Sequence, residues 1–96
     1  IMVTNDFMAA VVMNELKMRG LRIPFDIAVT GFNNDAISRL VEPKLTTIDY
    51  PGLDMGKIIA RNLLGYLAGD ENIRNTTKVI IRSQLLVRQS SLKKAK

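Results

Sequence analysis

The chain contains no cysteine and no histidine. Without cysteine there are no disulfides and no thiolate metal centres. Without histidine, the commonest general base and metal ligand is missing too. Prolines and glycines are few, and charged residues make up 24% against 47% hydrophobic, so the chain has the balance of a packed domain and not of a disordered one. No apolar run approaches the ~20 residues that a membrane-spanning helix needs, so no membrane association is expected. Ile1-Met2-Val3 follows no basic region, which gives no sign of a signal peptide. The opening also has no N-terminal turn or cap, as in a segment taken from within a longer chain. Ninety-six residues suit one small domain and are too few for two.

The net charge is +5, which raises the question of nucleic acid. Its distribution argues against a binding face. Lys93, Lys94 and Lys96 gather at the end of the chain, while Lys78, Arg82 and Arg88 are scattered through an apolar segment. Recognition needs a clustered face as well as a total, so these read as a solvated tail and ordinary surface charge.

Turning to what is present, Ile1 to Thr4 is a short β-branched run, and Asn5 or Asp6 is placed to cap the helix that follows. Met8, Ala9, Val12, Met13 and Leu16 recur at helical spacing, with Lys17 and Arg19 in the last turn and Gly20 just after it. This pattern predicts a helix over 6–19. Ile27 to Phe32 is uniformly apolar and predicts a strand buried on both faces. Strand, helix and strand form a βαβ unit, which indicates an α/β architecture. Ala36 to Val41 suits a helical turn or two ahead of Pro43, and Leu45 to Asp49 a short strand. Pro51 fits the first turn of a second long helix, which ends at Gly69. Its stripe comprises Leu53, Ile59, Leu63 and Leu67, widened by Met55, Ile58 and Leu64. Asp70 to Thr76 reads as a polar turn, Lys78 to Arg88 as one long strand or two short ones, and the chain from Ser90 as a frayed end.

Two of the strands run into polar clusters: Thr4-Asn5-Asp6 and Asn33-Asn34-Asp35. In an open parallel sheet, ligands bind outside the carboxyl ends of the strands, so neighbouring strands would bring both clusters to one crevice. Asparagine offers two donors and an acceptor on a short side chain, which suits a neutral polyhydroxylated ligand, and Phe32 offers an apolar face to a ring. The plain alternative is that these residues cap helices and close turns. A catalytic reading has less support. Asp6, Asp35 and Asp49 have no nucleophile or oxyanion hole around them, and Gly52 and Gly56 lack phosphate-loop spacing. We therefore expect no enzyme, no cofactor and no metal.

The segments TNDFMA (Thr4–Ala9), RGLRIPFDIAVTGFNN (Arg19–Asn34), EPKLTTIDYP (Glu42–Pro51), MGKIIARNLL (Met55–Leu64) and LLVRQSS (Leu85–Ser91) fall in order along nearly the whole chain. Together they resemble the C-terminal part of the lac-repressor-type (LacI/GalR) bacterial transcription regulators. The resemblance implies a periplasmic-binding-protein-like (type I) α/β fold, a parallel sheet flanked by helices, of which this is the C-terminal portion. Residues 1–48 would belong to the C-terminal lobe and 49–78 to the N-terminal lobe. Residues 79–89 would be a returning strand and 90–96 a flexible tail. DNA would be contacted only through a helix-turn-helix outside these residues.

By motif position, the resemblance places Asn5, Asn33 and Tyr50 at the effector, with Asp6 and Phe32 beside them. Asn33 stands where the family pattern has an aspartate, and Tyr50 where a glutamine-like residue is usual. An amide at position 33 lacks the charge-assisted bond a carboxylate would give a hydroxyl. The default effector is a sugar or a derivative. The resemblance also implies a cytoplasmic regulator that dimerises, with Met8, Ala9, Val12, Met13, Ile37, Leu40 and Val41 where that contact would lie. Intramolecular core is the equal alternative for the apolar residues of the first helix. A periplasmic sugar-binding transport protein would share the same cleft. The helix over 52–69 carries a stripe too large for a monomer to leave exposed. This 96-residue chain on its own is expected to associate, or to exchange segments between copies. Analytical ultracentrifugation at micromolar concentration tests this, and a monodisperse monomer excludes it.

Overall fold

Helix α1 (Asp6–Met18) is fixed at both ends by local chemistry. The Asn5 side chain accepts a hydrogen bond from the Met8 amide at 2.8 Å, which satisfies one of the free donors of the first turn. At the other end Gly20 takes a positive φ of 84°. Its amide donates to the Lys17 carbonyl and the Leu21 amide to the Leu16 carbonyl. This is the paired hydrogen-bond closure that a left-handed residue permits after a helix.

The computed structural model describes residues 1–75 and 78–93. After α1 come α2 (Ile37–Leu40), β1 (Thr47–Asp49), α3 (Gly52–Leu67), α4 (Glu71–Arg74) and β2 (Gln84–Leu86). The chain divides into two compact units, one made of Ile1–Tyr50 with the segment from Gln84 onward, the other of Pro51–Ser83. It leaves the first unit just after β1 and re-enters it at the start of β2.

In the first unit, three extended segments run parallel, with Met2 opposite Thr30 and Thr30 opposite Thr46. The Val3 amide donates to the Thr30 carbonyl at 2.8 Å, the Thr30 amide to Ile1 at 2.9 Å, and the Gly31 amide to Thr46 at 2.9 Å. The segment around Thr30 is therefore central, as its apolar run predicts, although Phe32 at its end is exposed. On its far side β1 pairs antiparallel with β2, with Ile48 opposite Leu85.

The core is one cluster of Ala9, Met13, Ile23, Val29 and Leu45, with Val3, Leu16, Ile27 and Val41 packed against it. Ala9 and Met13 lie one turn apart on α1, and burying a methionine of this kind contributes roughly 1.5–3 kcal/mol. Both are candidates, by motif position, for a contact between copies. Their complete burial inside one copy gives them to the core instead. Met8 and Leu40 are exposed, while Val12, Ile37 and Val41 are half-buried.

Four other expectations change. Only Gln84–Leu86 of the expected 78–88 strand pairs, and 78–83 carry no ladder. The polar turn after Gly69 contains a helical turn, α4, because the Asp70 carboxylate accepts from the Asn72 and Ile73 amides. Thr76 of that turn lies outside the described residues. Arg88 is half-buried and not a surface charge. Ser90, the expected start of a frayed end, is fully buried. Its hydroxyl donates to the Val29 carbonyl at 2.6 Å and accepts from the Thr46 amide at 2.8 Å, while its amide donates to Lys44 at 2.9 Å. Ser90 thus bridges the gap between two parallel segments. Lys94 and Lys96 lie outside the described residues.

In the second unit, Gly65 lets Ile73 of α4 approach α3 closely, since a Cβ there would fall on the Ile73 side chain. None of α3 is buried; Leu53, Ile59, Leu63, Leu64 and Leu67 are all exposed. The expected stripe is present and uncovered among the described residues.

Gly31 sits where the central segment passes α1. A Cβ on it would fall on Asp6 Oδ1 and lie 3.0 Å from Leu45 Cδ2, both atoms of fully buried side chains. Gly31→Ala is expected to destabilise the folded protein by about 1–3 kcal/mol, the range for overpacking a filled site. Urea unfolding measures it, and an unchanged midpoint would show that Asp6 can move aside.

Candidate functional site

Because the three segments are parallel, their carboxyl ends share one edge, and Thr4-Asn5-Asp6, Phe32-Asn33-Asn34-Asp35 and Tyr50 follow those ends. Asp6 organises this edge from within. It is 0% exposed, with Oδ1 accepting from the Thr47 hydroxyl at 2.6 Å and Oδ2 from the Asp35 amide at 2.6 Å. One carboxylate thereby fixes the start of α1, the turn after the central segment and the beginning of β1. Asp6, expected beside the ligand, is enclosed and has both oxygens engaged by the protein.

The turn itself is conformationally expensive. Asn33 has φ 109° and Asn34 φ 56°, a region in which non-glycine residues cost on the order of 1–3 kcal/mol each. Asparagine is the least unfavourable choice after glycine. The Asn33 amide donates to the Ile48 carbonyl at 2.8 Å, and the Asn34 amide to the Thr47 hydroxyl at 3.2 Å. The Asn33 side-chain NH2 donates to Asp35 Oδ1 at 2.7 Å. The side chain of Asn34 points the other way, its Oδ1 accepting from Arg88 at 3.0 Å and Arg39 at 3.2 Å.

Phe32 and Tyr50 come together. Their rings stack with centroids 5.4 Å apart and planes 25° from parallel. Beside Phe32 opens a cavity of about 390 Å³ lined by Met2, Val3, Thr4, Gly31, Phe32 and Ile48. A smaller one, about 250 Å³, lies among Ile23, Pro24, Phe25, Pro43, Gln89 and Leu92. Several of those residues lead into the parallel segments, away from the polar edge. The first cavity is the candidate. Its wall is apolar, as is usual for a small-molecule site; of the expected ligand residues only Phe32 lines it, while Asn5, Asn33 and Tyr50 lie just beyond the lining segments in the chain. No group of three or more acidic residues close enough to hold a metal ion occurs among the described residues.

Sequence reasoning missed three residues that matter here: Thr47, Asp35 in its amide role, and Arg88. A threonine pair within a short β-rich run gives no sign that one hydroxyl meets a buried carboxylate. Arg88 did carry a signal, being an arginine set in an otherwise apolar run, where a buried charge must find partners.

The pattern of the periplasmic binding protein-like domain matches residues 1–91. The chain belongs to that family. The periplasmic-binding-protein-like domain is similar over nearly its whole length to the C-terminal, effector-binding region of LacI/GalR-type repressors. The ribose operon repressor of Bacillus subtilis is 40% identical over 67 residues, covering 70% of this chain and 21% of its own. The solved periplasmic binding ribose operon repressor protein of Lactobacillus acidophilus superposes with a TM-score of 0.85 at 31% identity, covering 97% of this chain and 34% of that one. A periplasmic binding protein/LacI transcriptional regulator from Alkaliphilus metalliredigens, complexed with D-xylulofuranose, gives a TM-score of 0.73 at 32% identity, covering 97% and 34%. The chain spans about a quarter of the length of the curated relatives it matches. The expected α/β architecture thus holds for this domain.

The α1 cap takes one lone pair of the Asn5 side-chain oxygen, which leaves its NH2 and the second lone pair for a ligand. Asn5→Ala is expected to cost about 1 kcal/mol of stability, while Asn5→Ser, which keeps a capping oxygen, should cost a few tenths. Paired thermal or urea unfolding curves decide this, and equal losses in the two variants would show that the capping oxygen is not what Asn5 contributes.

Proposed function

We propose that this domain is the effector-sensing and dimerisation part of a LacI-type bacterial transcriptional regulator. It binds a neutral sugar or sugar derivative and acts on DNA through a separate N-terminal domain. The observation that carries the reading is the Asn33–Asn34 turn. A strained polar turn is held beside a stacked Phe32–Tyr50 pair and an apolar cavity, at the carboxyl edge of parallel segments. Strain of this kind is typical of sites that must present a side chain in one orientation.

In this reading the Asn33 and Asn5 amides meet sugar hydroxyls, Phe32 faces the ring, and Tyr50 backs Phe32 and closes the aromatic side. Asp6 acts from beneath, fixing the turn without touching the ligand. Residues 1–48 are then part of the C-terminal lobe and 49–78 of the N-terminal lobe, a reading supported by the division of the chain into compact units after Tyr50. Met8 and Leu40, the exposed members of the expected dimer surface, supply its apolar contacts. The protein is a cytoplasmic binding module with no catalytic step of its own. The matched relatives are operon repressors and regulators, which favours this over the transport alternative. Ligand binding regulates DNA affinity only if the two conformational states differ in ligand affinity, with couplings of about 1–3 kcal/mol.

The test uses the intact regulator and a panel of D-ribose, D-xylulose, D-galactose and cellobiose, followed by thermal shift and calorimetry. One sugar should raise the melting temperature, and Asn33→Gly should weaken its binding about tenfold, equivalent to roughly 1.4 kcal/mol. Glycine is the right replacement because it accepts φ 109° without strain, so the loss reports the side-chain amide, its bond to Asp35 included, and not a strained backbone. Unchanged affinity removes Asn33 from the site, and a panel with no binder removes neutral sugars as the effector class.

A further inference from the structure

The Asn33–Asn34 turn has two left-handed residues in succession, and the bonds made by its own backbone do not account for the orientation of Asn34. Its side-chain oxygen accepts from the guanidinium of Arg88, the closest of three donors, with Arg39 at 3.2 Å and the Ser38 hydroxyl at 3.4 Å on the same atom. Arg88 enters from the segment after β2, distant in sequence from the turn. Its Nη2 donates to Asn34 Oδ1 at 3.0 Å, and its Nη1 donates to the Ser38 hydroxyl at 2.9 Å and the Leu45 carbonyl at 3.1 Å. Its own amide donates to the Thr46 hydroxyl at 2.8 Å. Among the described residues the ion pairs join Arg19 to Glu15, Arg22 to Asp26 and Lys44 to Glu42, and none involves Arg88. A half-buried guanidinium that binds neutral oxygens is placed for its geometry: a rigid planar fork reaching three acceptors at once, which a lysine ammonium cannot reproduce.

We infer that Arg88 is a positioning residue for the ligand turn. It clamps Asn34 in the left-handed conformation, and so sets the direction in which the neighbouring Asn33 presents its amide. This deepens the effector-site reading above and rests on it for the consequence to binding, though not for the clamp itself. The clamp also joins three elements. Asn34 belongs to the turn, Ser38 to α2, and Leu45 to the approach to β1, while Arg88 itself follows β2. Both β1 and β2 lead directly into the second unit, at Pro51 and from Ser83. The turn is thus tied to β1 directly, through Ile48 and Thr47, and to the segment after β2 through the Arg88 side chain.

The test compares intact wild-type protein with Arg88→Lys, which keeps the charge and loses the fork. Hydrogen exchange is read at the amides of 33–35 and, as an internal reference, at 9–13 in α1. Exchange at 33–35 should rise about tenfold in Arg88→Lys with 9–13 unchanged, and the affinity for whichever panel sugar binds wild type should fall about tenfold. In an Asn34→Gly background, which removes the acceptor, Arg88→Lys should add less than a twofold further loss. Exchange that stays the same at 33–35, or rises equally at 9–13, overturns the clamp, the latter because it reports a general loss of stability. If Arg88→Lys does not fold, Asn34→Gly alone decides: faster exchange at 33 and 35 supports the clamp and unchanged exchange overturns it. If no panel sugar binds wild type, the sugar reading falls and the exchange result still judges Arg88.

Discussion

The Asp6 carboxylate is the point on which the first unit turns. It sits one residue inside the α1 cap, out of contact with water, and receives one hydrogen bond from the Thr47 hydroxyl and another from the Asp35 amide. Hydrogen bonds to a charged group contribute on the order of 1.5–3 kcal/mol each, but only when the group has the partners its burial demands. Burial and partnership are therefore a single condition here. The first turn of α1, the polar turn and the entry to β1 must all be in place, or the carboxylate is left buried without its donors. Among the described residues no buried side-chain nitrogen or oxygen lacks a partner, which is the state such a network requires.

A site built over this anchor gains rigidity that its own residues would not provide. Asn33 and Asn34 each hold a backbone conformation that an isolated peptide would rarely visit. Asp6 from below, Ile48 and Thr47 from the strand side and Arg88 from behind hold it. The ordering entropy of the turn is met on folding and not on binding, which is how preorganisation raises affinity. In the proposed effector site, the amide at position 33 would then have its orientation fixed before a ligand arrives.

The elements with local causes were legible from the sequence. The α1 helix announces itself by its apolar spacing, by Asn5 ahead of it and by Gly20 behind it, and all three act as expected. The ends of the parallel segments were equally readable, since an apolar run that stops at GFNND marks the place where a buried segment meets water. Long-range partnerships were not. Ser90 looks like the start of a loose end until Val29, Lys44 and Thr46 are seen around it. Arg88 looks like solvated charge until Asn34 and Ser38 are placed beside it. Ala9 and Met13 could have faced a second copy or their own core, because helical spacing defines a face without saying what covers it. The strand expected over 78–88 shortened for a related reason: β-propensity describes what suits a sheet, and only Gln84–Leu86 has a neighbour to pair with.

The close passage of Gly31 against Asp6 has an evolutionary corollary. Position 31 has no room for a β-carbon while position 6 carries its carboxylate, so the two sites are not free to drift separately. A lineage that first shortened residue 6 would open space at 31 and leave the Thr47 hydroxyl and the Asp35 amide seeking a water molecule. A lineage that first enlarged residue 31 would displace the carboxylate before any substitute existed. Either single change therefore costs stability, and a change at one position is expected to be better tolerated together with a change at the other.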